Sequence, residues 1–380
     1  MLINPERLAD IFVQLCETDS PSTQEGPVLT FLKNIFSGLG PTEIYEDGSA
    51  AQTGAECGNL IVRFDGGCSQ YPPVLFNCHM DTVKPGKGVR VIRDGSRFSS
   101  AGDTVLGGDD KSGIAILIEA IRVIQEKNLD HGCVEFVFTT CEETGLLGAK
   151  ALDHTKLRAR IGYALDMDCV DQVIINAPTA NKISVEITGK AAHAGLNPEQ
   201  GINAIQIAAQ AIASMKLGRL DHESTANFGI IAGGEATNIV PPLVRLEGEA
   251  RSHSEEKLMR YTAAIENAFQ AAVDGWKDPA GKVDGKPSVK ITVTREYPVL
   301  QLSPESKVIK RVRKAASAIN RTITPVSTGG GSDANILNGY GIETAIIGTG
   351  MKKVHTTDEY IDLEDMVRTA ELVVGIITAP

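Results

Sequence analysis

The stretch Val74-Leu75-Phe76-Asn77-Cys78-His79-Met80-Asp81-Thr82-Val83 decides how the chain is read. An apolar run that opens after Pro72-Pro73 and closes at Pro85-Gly86 predicts a buried strand. Side chains two apart on an extended segment leave the same face, so His79 and Asp81 can point together at the strand's carboxyl end. Open α/β sheets place their chemistry at that end. An imidazole beside a carboxylate suits a metal ligand whose tautomer is held by its neighbour. Alone, such a pair is more often a surface or structural feature; its weight comes from similar clusters downstream.

Working outward, Asn59–Phe64 predicts a neighbouring strand, and Val89–Ser100 alternates like a hairpin. Asn4-Pro5 starts a helix with Leu8, Ile11, Phe12 and Leu15 on one face, and a second helix covers Pro27–Phe36. Leu106-Gly107-Gly108-Asp109-Asp110-Lys111-Ser112-Gly113 then opens an apolar helix, Ile114–Ile124. The P-loop pattern is not met, and two aspartates repel a phosphate; a turn that lets carboxylates approach a cation fits better. The strand Cys133–Thr140 ends in Cys141-Glu142-Glu143-Thr144-Gly145. Adjacent carboxylates point in different directions, so one can ligate a metal while the other meets a water. Gly162–Leu165 repeats the theme with Asp166 and Asp168.

Near Ala177-Pro178 the texture changes. Strand–helix–strand–strand–helix–strand, from Lys182–Thr188 to Val289–Thr294, is the split βαβ pattern of a ferredoxin-like domain. The fold class expected is α/β: a catalytic domain (1–178 and 297–380) with a central mixed sheet flanked by helices, interrupted by an inserted α+β domain (179–296). After the insertion come a helix from Ser303 to Ile319, a tight loop at Thr328–Asp333, a strand at Thr344–Ile347, His355, and a last helix capped by Asp362.

Two domains suit 380 residues. The net charge is −11 and no block of contiguous lysine or arginine occurs, which argues against nucleic-acid or anionic-membrane partners. The amino terminus lacks a signal-peptide pattern, no apolar run is long enough to span a bilayer, and seven cysteines show no paired spacing. The expectation is a reduced, cytoplasmic protein. Cys78 and Cys141 read as buried packing residues, and His131, His154, His222 and His253 as ordinary surface or turn residues.

Collected, the strand-end clusters are His79/Asp81, Asp109/Asp110, Glu142/Glu143, Asp166/Asp168 and His355. Histidine and carboxylate donors without thiolates describe a catalytic two-metal site, with zinc the first choice and cobalt or manganese the others. Such a pair turns a bridging water into a hydroxide that attacks a carbonyl, while a free carboxylate carries its proton to the leaving amine.

The segments His79–Val83, Gly108–Gly113, Glu142–Gly145 and Leu165-Asp166 resemble the metal-binding motifs of the co-catalytic zinc exopeptidases, in particular the peptidase T-like, tripeptidase-like members of the glutamate carboxypeptidase/aminoacylase superfamily. Gly189–Gly195, Pro198–Ala204, Gly233–Asn238 and Gly248–Ser252 resemble that family's inserted lid or dimerisation domain. The resemblance implies that His79 and Asp166 bind one metal, Glu143 and His355 the other, and that Asp109 bridges both. Asp81 orients His79, and Glu142 is the general base. Asp168 competes with Asp166, whose Leu165-Asp166 context fits better. In the lid, His193 resembles a residue that polarises the substrate carbonyl, and Asn238 and Arg251 resemble groups that hold the substrate carboxylate. The bland readings are a histidine bonded to its own turn and a surface ion pair. Gly330-Gly331-Ser332-Asp333 departs from the Gly-Gly-Thr-Asp form of tripeptidases, which bears on substrate length.

The expected function is removal of the amino-terminal residue from short peptides by a dinuclear, zinc-dependent enzyme that dimerises through the inserted domain. The alternatives are a metal-dependent deacylase of N-acyl amino acids and a metal-stabilised binding protein without turnover.

Overall fold

A computed structural model describes residues 2–68 and 70–379, which group into two compact units. The first comprises 1–176, 300–328 and 332–380; the second comprises 177–299 and the short segment Gly329–Gly331. Sequence texture alone put the loop Thr328–Asp333 wholly in the outer domain.

The first unit is built on a nine-stranded mixed sheet. Its order runs Glu43–Glu46, Leu60–Phe64, Val134–Thr139, Val74–His79, Ile161–Ala164, Glu343–Ile347, Gln172–Ala177 and Leu300–Gln301, with Thr324–Ser327 paired beside Gln172–Ala177. The central strands Val134–Thr139, Val74–His79, Ile161–Ala164 and Glu343–Ile347 are mutually parallel. Their registers match His79 with Thr139 and Asn77 with Ala164, so three chain segments leave the sheet at the same edge. The residues that follow them are Asp81, Glu142 with Glu143, and Asp166.

These strands read as continuous apolar runs because both faces are covered. The helix Gly108–Glu126 is buried on nearly every side from Ile114 to Ile124, and the helices Pro5–Cys16 and Leu363–Ile377 pack against it. On the sheet, Phe136 meets Phe36, Phe64, Phe76 and Phe138 at ring separations of 5.9–6.3 Å. One ion pair is buried between strands: Arg63 lies opposite Glu135 at 3.0 Å, and Glu135 also accepts the Arg158 and Ala159 amides.

The second unit is a five-stranded antiparallel sheet in the order Gly218–Asp221, Ser224–Gly233, Leu243–Ser252, Thr179–Thr188, Ser288–Tyr297. Without the short Gly218–Asp221 strand, this is the ferredoxin-like arrangement. The helices Ala204–Ser214 and Glu255–Asp274 bury Ile207, Ala211, Leu258, Ile265 and Phe269 against Ile183, Val185, Val244 and Leu246.

The sequence reading omitted the strands Glu43–Glu46, Gln172–Ala177, Leu300–Gln301 and Thr324–Ser327, all too short or too irregular to show a period. Asp362 does occupy the N-cap of the last helix, but its side chain makes no cap bond; it pairs with Arg97 at 3.1 Å instead. No helix among the described residues is long and apolar enough to cross a membrane.

Candidate metal centre

The site grows out of the sheet edge. At the end of its strand His79 is buried, and its Nδ1 lies 2.9 Å from the Asp81 carbonyl and 3.4 Å from Asp81 Oδ1. With Nδ1 engaged, Nε2 is turned outward and meets Asp109 Oδ1 at 2.9 Å. Asp81 does more than face the imidazole: it accepts the Glu142 amide at 2.9 Å, the Glu143 amide at 3.2 Å and the Ser22 hydroxyl at 2.6 Å. One carboxylate thereby ties two strand ends together.

Asp109 sits in the first turn of the Gly108–Glu126 helix, with non-helical backbone, and the Asp109–Asp110 peptide is cis. The glycines around it have separate reasons. Gly107 has a φ of 76°, a left-handed conformation that suits glycine. At Gly113 a side chain would come within 2.7 Å of Cys78 Sγ and 2.9 Å of Leu165 Cβ, so only glycine lets the helix approach the His79 strand.

The other oxygen of Asp109, Oδ2, lies 3.1 Å from His355 Nε2, and the same nitrogen is 2.9 Å from Glu143 Oε1. Asp109 therefore presents one oxygen to each of two imidazoles. Donor atoms of His79/Asp109/Asp166, of Asp109/Glu143/His355 and of His79/Glu142/Glu143 each lie within 4.8 Å of one another. Asp168 is exposed and offers only its carbonyl, to Lys352. The loops that present these groups contain left-handed non-glycine residues, Cys141 at φ 53° and His355 at φ 63°. Such backbone costs on the order of 1–3 kcal/mol each and persists where surrounding bonds over-determine it.

Electrostatics show what the cluster lacks. Burial pushes Glu142 well above the usual carboxylate range, with Asp166, Asp333 and Glu143 adding to it against His79. Burial, helped by Asp109, pushes Asp166 up to about 8. A hydrogen bond to Asp109 and the Glu143 carboxylate 2.9 Å away raise His355 to about 10. Burial opposes a charged His79, but its bonds to Asp109 and Asp81 outweigh that and lift it well above the ordinary imidazole value. Glu143 Oε1 is buried and accepts no hydrogen bond although an imidazole nitrogen is 2.9 Å away, as expected of two donors aimed at a common point. The donor set, imidazole and carboxylate with no thiolate, fits two divalent ions.

A family model for peptidase family M20/M25/M40 matches residues 75–379. The chain belongs to that family. Among M20/M25/M40-type relatives, it is 42% identical to protein YqjE of Bacillus subtilis (strain 168) over 99% of both chains. The solved aminopeptidase PepT from Bacillus cereus ATCC 10987 superposes with a TM-score of 0.89 at 41% identity, covering 100% of this chain and 99% of that one. A tripeptidase from Staphylococcus aureus gives 0.92 at 36% identity, with the same coverage.

Of the residues singled out in this M20/M25/M40 sequence, His79, Asp81, Asp109, Glu142, Glu143, Asp166 and His355 come together in the first unit. His193, Asn238 and Arg251 belong to the second. There His193 pairs in a β-bridge with Ile239, and the Asn238 carbonyl accepts the Ala194 amide at 2.8 Å. His193 Nδ1 accepts the Gly195 and Leu196 amides, both at 3.2 Å, which leaves the proton on an exposed Nε2. Arg251 holds Glu249 at 2.9 Å and the Gly329 carbonyl at 3.5 Å, while its buried Nε has no partner.

Glu359 escaped the sequence reading, and Asp333 entered it only as the end of the Gly330–Asp333 loop, with no role at the site. Glu359, almost fully buried, accepts the Gly107 amide at 2.8 Å and the Asp109 amide at 3.0 Å, and so fixes the loop that carries Asp109. Asp333 accepts from Thr139 and Asn77 beneath the cluster, and burial pushes it up to about 6. Neither sits in a strand-end pattern; Glu359 follows His355 by four residues, which was the only local signal.

Proposed function

We propose that this chain is a dinuclear metal-dependent exopeptidase that removes the amino-terminal residue from short peptides. The observation that carries the reading is the two-sided Asp109, with one oxygen at 2.9 Å from His79 and the other at 3.1 Å from His355. A carboxylate so divided suits a bridge between two ions. His79 and Asp166 would hold one, Glu143 and His355 the other, with zinc the first choice. When bound, the ions would bring a water's pKa to roughly 7 and polarise the scissile carbonyl.

The chain's own residues supply the rest. Asp81 holds the His79 ring so that Nε2 faces the site, and it orders the Glu142-Glu143 turn through both amides. Glu142 is the proton carrier: it lies beside the His79 and Glu143 donors, and a carboxylate there can take a proton and return it to the leaving amine. His193, with its proton on Nε2, is a neutral donor suited to a carbonyl oxygen, and Arg251 and Asn238 are suited to a substrate carboxylate. Likeness to the Bacillus cereus aminopeptidase PepT and the Staphylococcus aureus tripeptidase supports peptides over N-acyl amino acids.

The test is turnover of a mixture of dipeptides, tripeptides and N-acyl amino acids by metal-loaded protein, read by mass spectrometry. Tripeptides with a free amine should disappear, with activity lost to chelator and restored by zinc, cobalt or manganese. Loss of only the N-acylated compounds would replace the reading with a deacylase. No turnover with any metal would leave a binding protein.

A further inference from the structure

The amino-terminal edge of the large sheet carries a second, chemically opposite feature. A cavity of about 380 Å³ lies where the Val74–His79 and Ile161–Ala164 strands begin, beside the helix Lys307–Ala318. Six of its nine lining residues are cationic: Arg158, Arg160, Lys307, Lys310, Arg311 and Lys314. Among the described residues no carboxylate lines it, in a chain whose net charge is −11. Asp65 and Glu305 pair with Arg158 at 2.8 Å and with Lys310 at 3.3 Å, both exposed contacts of small worth.

Arg311 makes the stronger case. It is only 7% exposed, and its guanidinium donates to the carbonyls of Ile376 (2.8 Å), Pro72 (3.0 Å) and Ile377 (3.4 Å). Two of those acceptors are carbonyls at the C-terminal end of the helix Leu363–Ile377, an end that favours a cation, so the guanidinium is held in place beside the cavity. No carboxylate pairs with it among the described residues, and it stands in the cavity lining as a fixed cation. Lys307, Lys310 and Lys314 recur at i, i+3 and i+7 and so share one stripe of their helix. Lys307 has no hydrogen bond or ion pair among the described residues. Flexible ammonium groups over fixed guanidinium groups suit the several oxygens of a condensed phosphate. The volume is that of a small-molecule pocket.

We propose that this cavity binds a small polyphosphate anion, of the pyrophosphate or nucleoside-triphosphate type. It lies one strand, about 16 Å at 3.3 Å per residue, from His79, so its ligand is not the peptide substrate. The proposal stands whether or not the peptidase reading does.

The experiment is calorimetric titration of inorganic pyrophosphate and of ATP into the full chain as purified, compared with the double variant Lys307→Gln/Lys314→Gln. Both residues are exposed, and the melting temperature of the double variant, measured alongside, shows that it folds. Wild-type protein should bind pyrophosphate saturably below millimolar concentration, less tightly at higher salt. The double variant should bind it at least about tenfold more weakly, and Lys310→Gln about threefold. A metal centre that also captures phosphate would do so equally in all three proteins, so the component lost on substitution reports the cavity. Tighter ATP than pyrophosphate would mean that Pro72, Pro73 and Ile161 hold the nucleoside; equal affinity would mean that only phosphates are read. No saturable binding, or binding unchanged in the double variant, overturns the proposal. So does capture of a short RNA or of phosphatidylglycerol vesicles by a chain that ignores pyrophosphate.

Discussion

The two groups of candidate residues are built in opposite ways. The first-unit cluster gathers beside the ends of parallel strands and is buried or nearly so, apart from half-exposed His355. Asp81 fixes His79 and the Glu142-Glu143 turn, and Glu359 fixes the loop of Asp109. In the second unit His193 and Asn238 are exposed on loops, His193 held by its own turn and the two segments joined by a β-bridge and the Ala194–Asn238 hydrogen bond. The difference teaches a division of labour. A group of like-charged donors needs a rigid frame that can bear the cost of crowding them, whereas exposed loop residues can stay wet and adaptable.

The largest effect that would sharpen this contrast is on turnover. Glu142→Ala should lower kcat by about 10³-fold or more while the protein keeps its full complement of metal, measured by elemental analysis. Retained activity would remove Glu142 as proton carrier; lost metal would make it a ligand.

Glu359→Gln comes next. It touches no donor atom, yet the Asp109 loop loses a charged acceptor, and metal affinity should fall by about 10–100-fold in competition with a chelating dye. An unchanged affinity would mean that the frame around the cluster is not needed.

A change of pH acts on the same frame. In metal-free protein Asp333, Asp166 and Glu142 have folded pKa values above their ordinary ones, so the folded state holds more protons than the unfolded one. Stability should therefore fall as pH rises from about 4 toward 8. The raised His355 and His79 extend the fall above 6.5, since their contribution is full below that value and is lost through the folded pKa. Bound metal requires deprotonated carboxylates and neutral imidazoles, so the rise in melting temperature on adding zinc should grow across the same window. A metal-free melting temperature that climbs from pH 5 to 8 would contradict this picture of the cluster.

The smallest effect expected is a null one. His193→Ala should leave metal content and melting temperature as they were, and alter only turnover. Loss of metal on that substitution would break the contrast between the groups.

The sheet's central strands were legible because a buried parallel strand is an apolar run with a polar end, as at Val74–His79 and Val134–Thr139. The short edge strands were not, since Glu43–Glu46 and Leu300–Gln301 depend on neighbours distant in sequence. Motif spacing nominated His79, Asp109, Glu142 and Glu143, but Ser22 and Glu359 act on them from 59 and 250 or more residues away. The basic cavity was hidden for a related reason. Lys307, Lys310, Arg311 and Lys314 form no continuous block, and only helical periodicity together with Arg158 and Arg160 on another segment makes them one feature.

By itself, then, the sequence determined the central apolar strands and the long helices, that a second α+β unit interrupts the first, and which residue types cluster at strand ends. These are local properties of periodicity and spacing. Tertiary structure alone decided that Asp109 turns one oxygen to His79 and the other to His355, that Glu359 anchors its loop, and that the sheet's opposite edge gathers cations. Each of those depends on through-space distance, because charge and hydrogen bonding act over a few ångströms whatever the separation along the chain.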